Sequence, residues 1–237
     1  MKKIYVFAAV CIFSLSAAAA EKILTVLFPA REAILSAQVE GVLRQFNFAV
    51  GDMFPAGATL AELKPEQFLL ESQRAKAKMK YTQDIFTNTR KEYTGGFTSL
   101  EKLRTAEIEA QLAQNACDMA QLRLSYTSIK APFSGKLQEK LVKEHEFLRA
   151  GQPVCRIIDD RTLHAVCYVP LENKKYTTYG NTVKLKIDTV PGIFTGKVTD
   201  VTPQADHRTG TVKVVIELSN AEWKLRAGMT GEICHEP

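Results

Sequence analysis

The 237-residue sequence predicts a mainly β chain that is interrupted by an α-helical hairpin and completed by a small antiparallel β-barrel. Three observations carry this: a β-rich stretch that occurs twice, a heptad-spaced insertion between the copies, and alternating apolar residues after them. The first copy runs Val39-Glu40-Gly41-Val42-Leu43 and then Val50 to Leu63; the second runs Phe133-Ser134-Gly135-Lys136-Leu137 and then Glu144 to Ile157. Gly41 matches Gly135, Asp52 matches Glu146, Ala56-Gly57 matches Ala150-Gly151, and Leu60 and Leu63 match Val154 and Ile157. All these pairs share one offset of about 94 residues without a gap, as internal duplication requires. Neither copy is long enough to close a core alone. The two halves must therefore pack on each other.

Residues 1–20 read as an export signal: Met1-Lys2-Lys3 is basic, Ile4 to Leu15 is apolar, and Ala18-Ala19-Ala20 offers a small-residue cleavage site before Glu21. The alternative is a retained anchor, because an apolar run of about 17 residues approaches spanning length. Cys11 follows Val10 inside that run, which is not a lipoprotein signal, and no other segment is expected to cross a bilayer. Residues 21–64 hold an N-terminal strand candidate, Ile23 to Phe28, and then the first half of the repeat. Gly41, Gly51-Asp52 and Ala56-Gly57 punctuate runs of a few residues there, as tight turns between short strands do. The second half, 127–160, has His145 where Gly51 stands. His145 is read as a turn residue rather than a metal ligand, since histidine tolerates the left-handed region better than a β-branched residue would. The turn glycines are thus Gly41, Gly51, Gly57, Gly135 and Gly151, with Gly228 near the C-terminus.

Residues 65–126 predict the hairpin. Pro65-Glu66 opens its first helix. Positions 68, 72, 75, 79, 82, 86, 89 and 93 are Phe, Ser, Ala, Met, Thr, Phe, Thr and Tyr, a heptad seam that is partly polar. Thr94-Gly95-Gly96-Phe97-Thr98 breaks the helix, and Ser99 caps the next, with Lys102 where a full capping box would want Glu. In the returning helix Leu103, Ala106, Ala110, Ala113, Cys117, Ala120 and Leu124 keep the spacing, beside a second stripe of Ile108, Leu112, Met119 and Leu122. A second stripe needs a second partner, either copies of the chain itself or the chain's own globular part. In residues 161–237, Leu163 to Pro170 begins a strand-rich region, and Val183-Lys184-Leu185-Lys186-Ile187 and Val212-Lys213-Val214 alternate, with turns expected at Pro191-Gly192, Thr209-Gly210 and Ala227-Gly228. About six strands in that span predict a closed barrel.

Composition narrows the function. Without Lys2 and Lys3 the 31 basic side chains fall to 29 against 26 acidic ones, a balance of +3 that argues against a nucleic-acid partner. Export implies an oxidising compartment, yet Cys117, Cys155, Cys167 and Cys234 are irregularly spaced; Cys167 and Cys234 either pair or serve as small buried hydrophobes. His145, His164, His207 and His235 lack ligand spacing, and Met53, Met79, Met119 and Met229 do not cluster. No Ser, Cys or carboxylate has a nucleophile or acid–base context, so neither enzyme nor cofactor is expected.

The doubled motif, the hairpin between its halves and the barrel together resemble the periplasmic adaptor subunits, or membrane fusion proteins (HlyD-like), of tripartite efflux pumps. The residues that carry the resemblance are Val39-Glu40-Gly41-Val42, Val50-Gly51-Asp52 and Gly57, then Ile129 to Gly135 with Ala150-Gly151-Gln152-Pro153. In the barrel they are Pro191 to Val198 and Leu225 to Met229. The resemblance implies a lipoyl-like (barrel-sandwich hybrid) domain split by the hairpin. It also implies a periplasmic ring of adaptors joining an inner-membrane transporter, of the RND type rather than the ABC type, to an outer-membrane channel. Relatives usually add a membrane-proximal domain, which this sequence lacks or reduces to Ile23–Arg31. The family's hairpin tip carries an Arg, a Leu and a Ser in order. Arg90 and Ser99 match the first and last over a shorter segment, with Tyr93 or Phe97 in place of the Leu. The implied docking tip is therefore Arg90, Tyr93, Gly95, Gly96, Phe97 and Ser99, the alternative being a surface role for Arg90 and a capping role for Ser99. A biotinyl or lipoyl carrier is the distant alternative, but such a domain needs a lysine on a tight turn between its halves, whereas Lys64 sits beside Pro65 at a helix start.

Overall fold

A computed structural model describes residues 22–234; the leader, Cys11 and His235 lie outside the described residues. In chain order the elements are β1 (Leu24–Ser36), β2 (Gly41–Phe46), β3 (Met53–Phe54), β4 (Thr59–Leu63), α1 (Glu66–Thr94) and α2 (Leu100–Ser125). They continue with β5 (Ser128–Lys130), β6 (Gly135–Lys140), β7 (Phe147–Leu148), β8 (Pro153–Pro170), α3 (Lys174–Thr177), β9 (Thr182–Ile187), β10 (Val190–Val201), β11 (Thr211–Ser219) and β12 (Thr230–Ile233). The described residues divide into two compact units: Leu27–His164 with Ser219–Ala227, and 22–26 with Ala165–Leu218 and 228–234.

The duplication organises the first unit down to single hydrogen bonds. Gly51 N donates to Leu137 O at 2.7 Å, and its counterpart His145 N donates to Leu43 O at 2.8 Å. Gly57 N donates to Ala131 O at 2.8 Å, and Gly151 N to Ala37 O at 2.7 Å. The Asp52 carboxylate accepts from Ala49 N at 2.8 Å, the Glu146 carboxylate from Lys143 N at 3.0 Å. Each bond from the first copy to the second is returned with the copies exchanged, which is a local two-fold. Accordingly β3 pairs with β6 and β2 with β7, so the strands of each copy are completed by the other. The core obeys the same exchange. Ala37, Leu43, Ala61, Leu63, Leu148 and Val154 form one buried cluster, and their counterparts Ala131, Leu137, Cys155, Ile157, Phe54 and Leu60 form the other. Each cluster draws on both copies, which is why neither half could bury a core alone.

His145 has φ 69°, beside 93° at Gly51, and is the turn residue expected. Gly41 and Gly135 are not in turns. They open β2 and β6, and Gly135 is needed because a Cβ there would stand 2.2 Å from the Ile158 carbonyl oxygen.

The second unit is a closed six-stranded barrel. Its order is β1, β12, β9, β10, β11, β8, with β8 pairing back to β1. Alternation supplies its interior: Val183, Leu185 and Ile187 on β9 and Val212, Val214, Ile216 and Leu218 on β11 are buried. Five details differ from the sequence expectation. Residues 24–26 pair with β12 and belong to the barrel rather than to the first repeat half. β1 also runs on through Pro29 instead of ending at Phe28. β8 is one strand through Asp159-Asp160-Arg161, where a domain boundary was expected, and Ser219–Ala227 belongs with the first unit. Pro191-Gly192 is not the hairpin turn; Asp188-Thr189 is, and Pro191-Gly192 forms a bulge between the pairs Val190↔Ile187 and Ile193↔Lys186. A bulge accommodates a proline without an N–H and a glycine at φ 120°.

Candidate functional site: the helical hairpin and its tip

The two helices have 29 and 26 residues, about 43 Å and 39 Å at 1.5 Å per residue. Their contact follows the heptad seam. Ser72 and Thr82 are buried on α1, and Ala106, Ala110, Ala113 and Cys117 on α2. Small side chains let the helix axes come close. The buried Thr82 hydroxyl is satisfied within its own helix, donating to Lys78 O and Met79 O at 3.1 and 3.0 Å. Phe68, Met79, Phe86, Leu103 and Leu124 are partly buried along the same seam, whereas the second stripe points elsewhere. Ile108 is 58% exposed, Leu112 62%, Met119 53% and Leu122 43%, so the second stripe does not pack on the globular part of its own unit.

The tip has a defined geometry. Gly95 ends α1 in the helical region and Gly96 follows at φ 76°. Phe97 N donates to Glu92 O at 2.8 Å and Gly96 N to Tyr93 O at 3.0 Å, the paired bonds of a Schellman ending. Gly95 N also donates to Lys91 O at 3.1 Å. Ser99 caps α2 in extended conformation, its Oγ accepting from Lys102 N at 3.3 Å. Arg90, Tyr93 and Ser99 are exposed, and Phe97 is 86% exposed. Phe97, Thr98 and Ser99 rim a cleft of about 540 Å³ that reaches Glu92 and Glu101. The six expected docking residues thus lie within ten positions of one turn, with an aromatic ring presented to solvent.

A second cluster, in the first unit, has no counterpart in the sequence patterns. Asn220, 3% exposed, donates through Nδ2 to Asp160 O at 2.8 Å and Leu225 O at 2.9 Å, and accepts from Leu225 N at 3.0 Å. Lys136 Nζ pairs with the buried Asp160 at 3.0 Å and stands 3.6 Å from the ring centroid of Trp223, the chain's single tryptophan. Trp223 takes φ 56°, an outlying conformation for so large a residue. Arg161 grips Asp159 with two nitrogens and reaches Ser134 Oγ at 2.8 Å. That side-chain bond holds the Asp159 carboxyl below its ordinary pKa. Side chains meeting across β6, β8 and a loop leave no periodic trace.

The four cysteines among the described residues are free thiols. Burial pushes Cys155 up to about 11 and Cys167 up to about 12. Cys167 is enclosed in the barrel wall, its Sγ 3.7 Å from Val214 O; Cys234 lies one residue beyond β12 rather than within a strand. Among the described residues no group of three or more His, Cys, Asp or Glu side chains could hold a metal ion, and no helix is long and apolar enough to cross a membrane.

Comparison with known proteins assigns these parts. Residues 31–160 match the family profile for the RND MFP barrel-sandwich hybrid domain, and residues 165–236 that for the CusB-like β-barrel domain. The multidrug resistance protein MdtA of Photorhabdus laumondii is 26% identical over 216 residues, 81% of this chain and 54% of that protein. The nodulation protein NolF of Rhizobium meliloti is 26% identical over 220 residues, 86% of this chain and 59% of that protein. The chain spans about half the length of these curated relatives. Among solved structures, a MacA–MexA chimera carrying the Pseudomonas aeruginosa MexA α-hairpin aligns with a TM-score of 0.80 at 20% identity, over 90% of this chain and 79% of that one. MacA from Actinobacillus actinomycetemcomitans aligns at 0.62 and 18%, over 90% and 78%. At these identities the two structures speak for the fold alone. With more than half its length matched by the hybrid-domain profile, and a barrel profile directly after it, the chain belongs to the RND-type membrane fusion proteins, the adaptor family of efflux systems.

Proposed function

We propose that this chain is a non-enzymatic periplasmic coupling subunit. It links an inner-membrane RND transporter to an outer-membrane channel for the efflux of small molecules. Copies associate side by side into a ring around the substrate path, and the hairpin reaches the channel through Arg90, Tyr93, Gly95, Gly96, Phe97 and Ser99. The observation that carries this reading is the inversion of the hairpin: small residues occupy its seam while Ile108, Leu112, Met119 and Leu122 face outward. A face of that kind is an association surface. The tip adds a phenyl ring held in solvent by a hydrogen-bonded turn.

Dye retention in cells tests the docking role. Gly95→Pro removes the donor to Lys91 O and forces Thr94 out of helical geometry. Phe97→Asp changes only the exposed ring. Both variants, exported and folded, are expected to retain dye at the level of cells lacking the protein. Efflux at the unaltered rate in both would refute tip docking.

A further inference from the structure

A cavity in the first unit lies away from the hairpin tip, where the two repeat halves meet. It measures about 670 Å³ and is bordered by the end of β1 and by β5. At the duplication's offset, Ile34-Leu35-Ser36 is the counterpart of Ser128-Ile129-Lys130, so the cavity straddles the local two-fold and is lined by one tripeptide from each half. β5 is the edge of its four-stranded sheet, and that side of the strand is not covered by another.

The lining has two chemistries. Ile34, Leu35 and the Tyr126 ring give an apolar wall, with Ile34 still 49% exposed; Ile129 borders the cavity but is 7% exposed and belongs to the buried core. Ser36, Ser128 and Lys130 give a polar one, and none of these three side chains has a hydrogen-bond or ion-pair partner among the described residues. Lys130 is the single charged side chain in the lining. Its counterpart across the two-fold is Ser36, so the cavity carries one cation rather than a symmetric pair. The size falls within the range of sites for drug-sized molecules, which combine apolar walls with a few polar groups of fixed position.

We infer that this cavity binds an amphipathic organic anion, with its apolar body against Ile34, Leu35 and Tyr126 and its carboxylate on the Lys130 ammonium between the Ser36 and Ser128 hydroxyls. This is a binding site of the isolated chain and does not rest on the coupling role proposed above.

Decanoate, one carboxylate on an alkyl chain, is the probe, titrated calorimetrically into the full chain with decyltrimethylammonium as the cation of matched tail. One saturable decanoate site is expected, with the ammonium compound at least about tenfold weaker. Lys130→Gln should weaken decanoate about five- to tenfold, and Ile34→Ser by a similar factor. Both positions are exposed, so thermal melts should match the unaltered chain. Leu112→Ser, on the outer hairpin stripe, should leave decanoate binding unchanged. No saturable binding would overturn the inference. So would affinity that stays within about twofold in both cavity variants, or affinity that falls with Leu112→Ser instead.

Discussion

The repeat offers a controlled perturbation, because Gly41 and Gly135 occupy equivalent positions with different surroundings. A Cβ on Gly135 would lie 2.2 Å from the Ile158 oxygen and 3.0 Å from its carbonyl carbon, both backbone atoms that cannot turn aside. Relieving the clash requires β6 and β8 to part by about 1 Å, which endangers the pairs Lys136↔Ile158 and Leu137↔Ile157. Two weakened ladder bonds at about 1 kcal/mol each, with about 1–2 kcal/mol from loosened packing around Leu137 and Ile157, give about 3–4 kcal/mol. Both of those side chains are fully buried. Removing a glycine from the unfolded chain returns about 0.4–1 kcal/mol, leaving Gly135→Ala about 2–3.6 kcal/mol less stable. At Gly41 the nearest neighbour is the Leu63 Cδ2 methyl at 3.3 Å, which can rotate. Gly41→Ala should therefore stay within about 1 kcal/mol of the unaltered chain. Urea unfolding followed by Trp223 fluorescence measures both, since that one tryptophan sits in the same unit. Equal losses in the two variants, or Gly135→Ala within about 1 kcal/mol of the parent, would refute the close-approach argument.

Two further outcomes follow from the same coordinates. The Arg161 guanidinium lowers the pKa of Asp159 in the folded chain, so the pair stabilises the fold above the ordinary carboxylate range and loses that contribution as pH falls through the lowered value. The stability gap between the parent and Arg161→Gln should thus be full at pH 7 and shrink below about pH 4, as read by urea midpoints; a gap that is constant with pH would contradict it. On the hairpin, Leu112→Glu combined with Met119→Glu should abolish concentration-dependent association in sedimentation velocity while leaving the melting temperature unchanged. Association that survives both charges would remove the outer stripe from the interface.

Much of this architecture is legible in the sequence because turn chemistry and periodicity are local. The pairs Gly51/His145 and Gly57/Gly151 announce equivalent turns, and the positive φ at all four shows why the offset holds without a gap. The hairpin seam is equally plain, since each position from 68 to 89 in the heptad series is at least partly buried. What fails to show is what depends on distant partners. Asp159-Asp160-Arg161 interrupts any apolar pattern, yet β8 continues through it because Asp160 finds Lys136 and Arg161 holds Asp159. Gly135 and Gly41 look like turn residues because glycine signals positive φ and close approach alike. Pro191-Gly192 has the composition of a turn, and only the register of β9 against β10 reveals a bulge.

The hairpin's inversion has an energetic logic. The fully buried seam positions, Ser72, Thr82, Ala106, Ala110, Ala113 and Cys117, bury little apolar area, since an alanine methyl contributes only about 1 kcal/mol at best, and Phe68, Met79, Phe86, Leu103 and Leu124 beside them are only partly buried. A leucine or isoleucine buried at the same place would contribute about 1.5–3 kcal/mol. Yet Leu69, Leu70, Tyr81, Ile108, Leu112, Met119 and Leu122 all remain outside. The free energy that the outer residues can supply is realised only when something covers them. In the ring proposed above, stalk order would be coupled to association, and the hairpin would be firmest where it has neighbours.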